Sequence, residues 1–426
     1  MRGFSPLDEE LKLLPGDLTP SLQRSLVRLG TSMEFESAAK FLEHFTQTQI
    51  SEATARRNTE RAGAAYERAQ LSELGRLERE LPRPPRGPAV QQLSVDGAMV
   101  PLVGGEWAEV KTAAIGTVGE PRLERGERVA QTTELSYFSR LTDSDTFGRV
   151  AGVELHRRGT ETAGIVLAVV DGADWVQGFM DVHRPDAVRI LDFPHAAGYV
   201  SNAAQAVYGP GTEAASEWLS TQLHELKYGK AETVLDALRG LGDKATGGAG
   251  ETVRVSLQYL HKRIEQVRYG EFQALGYPIG SGIVESGHKV VVEARLKGAG
   301  MHWARHNVNP MCALRNIECN DRWAEAWPRI VEQIRAEQRE NAHERRRRRS
   351  RAKRASEERA VEPVPATAPV VAPHPASPPE AEPVQVKAAK PGTADPRKPA
   401  PNHPWRRFPI NPTRRPSDYP PADANH

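Results

Sequence analysis

Two aspartates and a glutamate stand in this sequence where paired carboxylates could hold hard cations. Asp96 follows apolar residues in QQLSVDGAMVPL, Asp171 closes the apolar run of AGIVLAVVDGADW, and Glu285 falls on an expected helix in GSGIVESGHKVVVEARLKGAGMHW. A triad drawn from two strand ends and a helix suits two divalent ions, Mg2+ or Mn2+, because hard oxygen donors match hard cations. Such ions activate an attacking oxygen and steady a leaving oxygen on a phosphodiester. The chemistry to expect is cutting or transfer of nucleic-acid strands.

Taken singly, each carboxylate has a plainer reading. Asp96-Gly97 and Asp171-Gly172 are also ordinary strand-ending turns. Asp171, however, ends a buried strand, where α/β sheets usually carry their sites. Asp192 in RILDFPHA, three residues before His195, is a second candidate of the same type. Glu285, Lys289 and Glu293 recur at helical spacing with His288 beside them, which equally describes a surface ladder of ion pairs. The segment RLKGAGMHWARH sets Arg295 and Lys297 near Trp303, a mixture that, with Lys289 before it, suits phosphate contact and stacking on a strand end.

The elements that must position these residues follow from hydrophobic period. Residues 1–80 read as a helical, helix-turn-helix-like DNA-binding domain. Thr19-Pro20 starts a first helix that Gly30 closes, and Thr31 with Glu34 forms a capping box for a second. Its stripe is Phe35, Ala38, Ala39, Leu42 and Phe45. Ser51 caps a third, whose face of Arg56, Arg57 and Arg61 is offered to DNA or simply to solvent. A proline-rich linker, residues 81–88, leads to a first part of an α/β domain at 89–210, with successive strands, a helix and the buried run AGIVLAVV. An all-helical insertion follows at 211–272, a completing part at 273–335, and a basic, proline-rich tail at 336–426 expected to lack structure.

Charge and cysteine content narrow the class. From Asn341 onward 17 Lys+Arg face 9 Asp+Glu, a balance of +8, while the rest of the chain carries −6. A nucleic-acid enzyme with so acidic a body must gather its basic residues locally. Cys312 and Cys319 have no metal-ligand partners at usable spacing, which favours a reducing compartment. No stretch approaches the roughly 20 apolar residues that span a bilayer, and MRGFSPLDEELKLL lacks a signal peptide's apolar core, so a soluble, cytoplasmic protein is expected.

Together the motifs LSVDGAMVPL, VVDGADW, ILDFPHAAGYV and IGSGIVESGHKVVVEARLKGAGMHW resemble bacterial insertion-sequence transposases of the Asp-Asp-Glu class. The similarity is close to the Kra-type elements, more distant to the Mutator superfamily, and spans about Phe4 to Trp323. It implies a ribonuclease-H-like mixed sheet with a helical insertion before the glutamate, and catalytic, metal-holding roles for Asp96, Asp171 and Glu285. It also implies a supporting pair, Asp192 and His195, and two Mg2+ or Mn2+ ions. The implied partners are the element's terminal inverted repeats, target DNA and further copies of the chain in a dimer or larger synaptic complex. The family's cysteine-rich zinc knuckle has no counterpart here. Two other readings remain: a nuclease or resolvase on the same scaffold without strand transfer, and a catalytically inactive DNA-binding derivative.

Overall fold

The computed structural model describes residues 18–124 and 127–361, and those up to Ser356 belong to one compact unit. Three helices lead: α1 (Pro20–Ser32), α2 (Phe35–Thr46) and α3 (Glu52–Glu80). Thr19 and Ser51 cap α1 and α3, their hydroxyls accepting the Leu22 and Thr54 amides at 3.4 and 3.2 Å. Other local expectations give way to packing. Gly30 lies inside α1, pressed against α3: a Cβ there would fall 2.3 Å from Thr59 Oγ1. Thr31 is no cap, because its buried hydroxyl donates to the Val27 carbonyl one turn back at 2.7 Å. Glu34 occupies the N-cap of α2 without a side-chain bond, and α3 runs for 29 residues rather than one short helix.

A five-stranded mixed sheet forms the centre, in the order β5-β2-β1-β6-β7. Its members are β1 (Val90–Pro101), β2 (Trp107–Val118), β5 (Thr132–Arg140), β6 (Ile165–Val170) and β7 (Val188–Leu191). A small hairpin of β3 (Arg122–Glu124) and β4 (Glu127–Val129) stands apart from it. β1, β2 and β5 are antiparallel, whereas β6 and β7 run parallel to β1. Helices α4 (Ser144–Arg157) and α5 (Asp174–His183) cover one face, where Leu93, Val95, Ala168 and Val170 meet Phe147, Val176 and Met180.

Two groups of helices share the other face. α6 (Phe193–Tyr208), α7 (Glu213–Tyr228), α8 (Ala231–Gly242), α9 (Gly247–Lys262) and α10 (Tyr269–Ala274) build a helical mass, in which Val200, Val253 and Leu260 pack with Leu167 and Val169 of β6. This contains the all-helical stretch expected between the second aspartate and the glutamate. Over β1 and β2 lies α11 (Gly282–Gly287), which continues into a π-helical stretch, His288–Glu293, and a last turn, Ala294–Leu296.

Helix α12 (Arg305–Cys319), with Asn320 at its C-cap, seals the sheet's edge. Asn309, Asn316 and Asn320 each accept and donate along β5, taking the amides of Leu141, Ser139 and Tyr137 at 2.7, 3.1 and 2.8 Å and bonding the same three residues' carbonyls. An exposed row of strand amides is thereby closed to other chains. Helix α13 (Trp323–Val361) packs Trp323, Trp327 and Ile330 with Ala62 and Tyr66 of α3, so the N-terminal helices share a core with the C-terminal ones. Residues 336–361, expected to lack structure, belong to this helix, since Arg, Glu and Ala are strong helix formers. The rest of the tail, 362–426, lies outside the described residues, as do residues 1–17 of the expected DNA-binding domain.

Candidate functional site

Asp96 does not end its strand. β1 continues through Gly97 to Pro101, held by β2 with Asp96 opposite Thr112 and Gly97 opposite Lys111. The parallel neighbour β6 does end, at Val170, and the β1–β6 register pairs Val90 with Ile165 and Leu93 with Ala168. Carried forward, that register brings Asp96 and Asp171 level. Both follow the side-chain alternation onto the same face of the sheet, at the seam between the helical mass and α11.

The electrostatics agree with this proximity. Burial pushes the Asp96 carboxyl above the usual range; the Gly97 amide and His288 oppose the rise, while the charges of Asp171 and Glu109 add to it. Asp96 Oδ1 accepts the Gly97 amide at 2.7 Å. Asp171 Oδ1 accepts the Ala173 amide at 2.9 Å, an Asx turn that fixes the carboxylate as the chain enters α5.

Glu285 rides on α11. Close approach of that helix depends on Gly287, where a Cβ would lie 2.9 Å from the Tyr137 ring and 3.3 Å from Thr112, the partner of Asp96. His288 completes the dock: its Nδ1 stands 3.8 Å from Asp96 Oδ2 and its Nε2 3.4 Å from the Asp96 carbonyl. Glu285 itself is exposed, and among the described residues no three His, Cys, Asp or Glu side chains are gathered to hold a metal ion. The structure thus brings Asp96 and Asp171 together and leaves Glu285 on the helix beside them. The α-helical ladder of Glu285, Lys289 and Glu293 is interrupted by the wider π turn; Glu293 instead pairs with Lys297 at 2.9 Å.

Asp192 is buried, with both oxygens engaged. Oδ2 accepts the His195 amide at 3.0 Å, capping α6, and Oδ1 accepts the Ser281 amide at 2.7 Å, just ahead of α11. The expected pair therefore meets through the His195 backbone, while the exposed imidazole stands by Tyr199 and Tyr259, ring centres 5.6 and 5.9 Å away. Nothing in the sequence pattern of RILDFPHA announced the bond to Ser281.

Several residues expected at DNA are otherwise occupied. Arg295 is only 2% exposed; its Nε donates to the Gly30 carbonyl at 3.1 Å, and its guanidinium lies against the rings of Phe35 and Trp303, 4.6 and 5.0 Å from their centres. Trp303 is buried too, its backbone bridging alongside Leu102 at the end of β1 through bonds with Pro101 and Val103. Together they bolt α1 and α2 to the end of the α11 segment, a role set by long-range packing that local composition cannot reveal. Arg61 is half-buried, donates to Asn58 at 3.0 Å and feels Glu337 of α13. Arg56, Arg57 and Lys289 are exposed. Arg56 borders a cavity of about 440 Å³ with Glu34, Glu52 and Glu60. Burial pushes the Cys312 thiol up to about 12, consistent with a packing role rather than ligation.

In comparison with known proteins, the chain matches no family model and no curated sequence.

Proposed function

We propose that this chain is a DNA transposase of the Asp-Asp-Glu class, with a ribonuclease-H-like catalytic domain. The observation that carries the reading is the parallel register of β1 and β6, which, carried forward from Leu93 and Ala168, sets Asp96 level with Asp171 just past the end of β6, together with the charge of Asp171 acting on Asp96. That sheet, with helices on both faces, is compatible with the domain the motifs imply. Support also comes from α11, the helix of Glu285, which packs over β1 and β2 and leads into His288 beside Asp96.

The donors fit a hard divalent cation. Two carboxylates lie near enough for the charge of Asp171 to act on Asp96, and the Asp96 anion is under-compensated where burial and that charge act on it, a penalty a cation would relieve. Asp96 and Asp171 would hold magnesium or manganese, with Glu285 joining them once DNA and protein assemble. When bound, such ions lower the proton affinity of an attacking water or 3′-hydroxyl and steady the leaving oxygen of an in-line displacement. The chain's own residues do the orienting. The Ala173 amide holds the Asp171 carboxylate, the Gly97 amide and His288 hold Asp96, and Asp192 ties the start of α11 to the end of β7. Exposed Arg57 and Lys289, with the arginines of α13, are available to phosphates.

The test uses purified full-length protein, Mg2+ or Mn2+, and duplex DNA carrying the sequences that flank its gene. Nicking at the element ends and joining to a second duplex, both abolished by Asp96→Asn, Asp171→Asn and Glu285→Gln with DNA binding retained, is the expected result. Cutting without joined product would favour the nuclease reading, and binding without cutting the inactive derivative.

A further inference from the structure

The helical mass grips the turn that carries Asp171. β6 ends at Val170, so no ladder amide of a neighbouring strand is paired with the Asp171 and Gly172 carbonyls. Two side chains near the end of α9 donate to them instead. Tyr259 Oη donates to the Asp171 carbonyl, and Arg263 Nη2 donates to the Gly172 carbonyl at 2.7 Å. The two donors are themselves locked. The Arg263 guanidinium lies 3.8 Å from the centre of the Tyr259 ring, and that ring stacks on Tyr199 of α6 at 3.8 Å and 11°. Gly172 adopts φ +80°, and a Cβ there would stand 2.6 Å from Arg263 Nε and 2.9 Å from Tyr259 Oη. The turn is thus shaped to the clamp, with a glycine where a side chain would drive it off.

We propose that Tyr259 and Arg263 are positioning residues for the Asp171 carboxylate, through which the helical segment 211–272 sets the geometry of the metal-binding pair. This rests on the reading of Asp96 and Asp171 given above. A clamp on two carbonyls fixes the backbone from which the carboxylate projects, and metal sites respond strongly to the groups that orient their ligands.

Tyr259→Phe, Arg263→Met and the double variant, each in the full chain, test it by two measurements. The first is amide hydrogen exchange of the segment from Val170 to Asp174, with β1 as internal reference. The second is Mn2+ titration of wild type, the three variants and Asp171→Asn. The expected result is faster exchange confined to the Asp171 turn and, in the double variant, Mn2+ affinity about tenfold weaker with a single cooperative unfolding transition retained. Arg263→Lys, which keeps a donor for the Gly172 carbonyl, should recover part of that loss. Because Tyr259→Phe keeps the stacked ring, it remains decisive should the double variant fold poorly. Unchanged exchange in the variants overturns the clamp, and faster exchange with unchanged Mn2+ affinity overturns its positioning role. If wild type and Asp171→Asn take up Mn2+ alike, the metal-pair reading falls and the positioning role with it, while the exchange data still decide whether the clamp exists.

Discussion

Asp192 and Ser281, 89 residues apart, are joined by a 2.7 Å hydrogen bond from the Ser281 amide to a buried carboxylate oxygen. The bond pins the start of the Glu285 helix to the end of β7. It separates two aspartates that look alike in the sequence: Asp192 spends both oxygens on backbone amides, whereas Asp171 uses one. Asp192→Ala should therefore cost stability, about 2–3 kcal/mol for losing charge-assisted bonds at a buried site. Asp171→Asn should leave the melting temperature nearly unchanged while removing Mn2+ binding. Thermal unfolding beside Mn2+ titration distinguishes them; an Asp192→Asn protein of wild-type stability that no longer binds Mn2+ would reverse the assignment.

The raised Asp96 carboxyl makes a pH prediction. Burial is the main cause, with Asp171 adding to it, so the folded state holds this proton more tightly than the unfolded chain, whose value is near the ordinary 3.8. Stability contributed by this group consequently falls as pH rises from 3.8 through the folded value, and the penalty is complete above it. Asp96→Asn should melt at a higher temperature than wild type at neutral pH, and the difference should vanish at about pH 3, where both side chains are neutral. A melting series across pH without divalent cations checks the sign.

The asparagine ladder on α12 should be a stability element. Asn316→Ala strands the buried Ser139 amide and carbonyl, at a cost of roughly 1–3 kcal/mol. It also opens the β5 edge, so concentration-dependent aggregation should rise. Denaturant unfolding and light scattering measure the two effects; a variant unchanged in both would mean the edge is protected by other means.

The arginines of α3 should separate into two kinds. Arg56 and Arg57 are exposed, and if they contact phosphates, replacing each by Ala should flatten the log–log salt dependence of DNA binding by about 0.9. Arg61 is half-buried between Asn58 and α13, so Arg61→Ala should lower the melting temperature with little change in slope. Gel-shift titrations across salt decide; an unaltered slope in the Arg56 and Arg57 variants would leave them as a solvated face.

Removal of residues 341–426 should preserve cooperative folding. Ile334 is buried and Glu337 pairs with Arg68 at 2.6 Å, whereas the side chains described beyond them on α13 are exposed. The deletion takes away the run Arg345–Arg349, so nonspecific DNA affinity should fall. Loss of a single sharp unfolding transition would show that the distal helix matters to the fold.

The sequence by itself determined the elements, because hydrophobic period and turn chemistry act over a few residues. The buried run AGIVLAVV is β6, and the helical period after Gly211 is a helical mass. Thr19 and Ser51 are caps because their partners lie three residues away. Only the tertiary structure decided which polar groups meet. Asp96 and Asp171 stand level through sheet register, His288 reaches Asp96 because Gly287 lets a helix settle on Thr112, and Tyr259 holds the turn beside Asp171 from a distant helix. The same packing took Arg295 and Trp303 out of solvent, while the helix propensity of Arg, Glu and Ala carried α13 through a stretch whose charge suggested no structure. Local pattern encodes which face of an element is apolar. It does not encode which neighbour that face will cover, and the pairing of charges and amides follows from the neighbour.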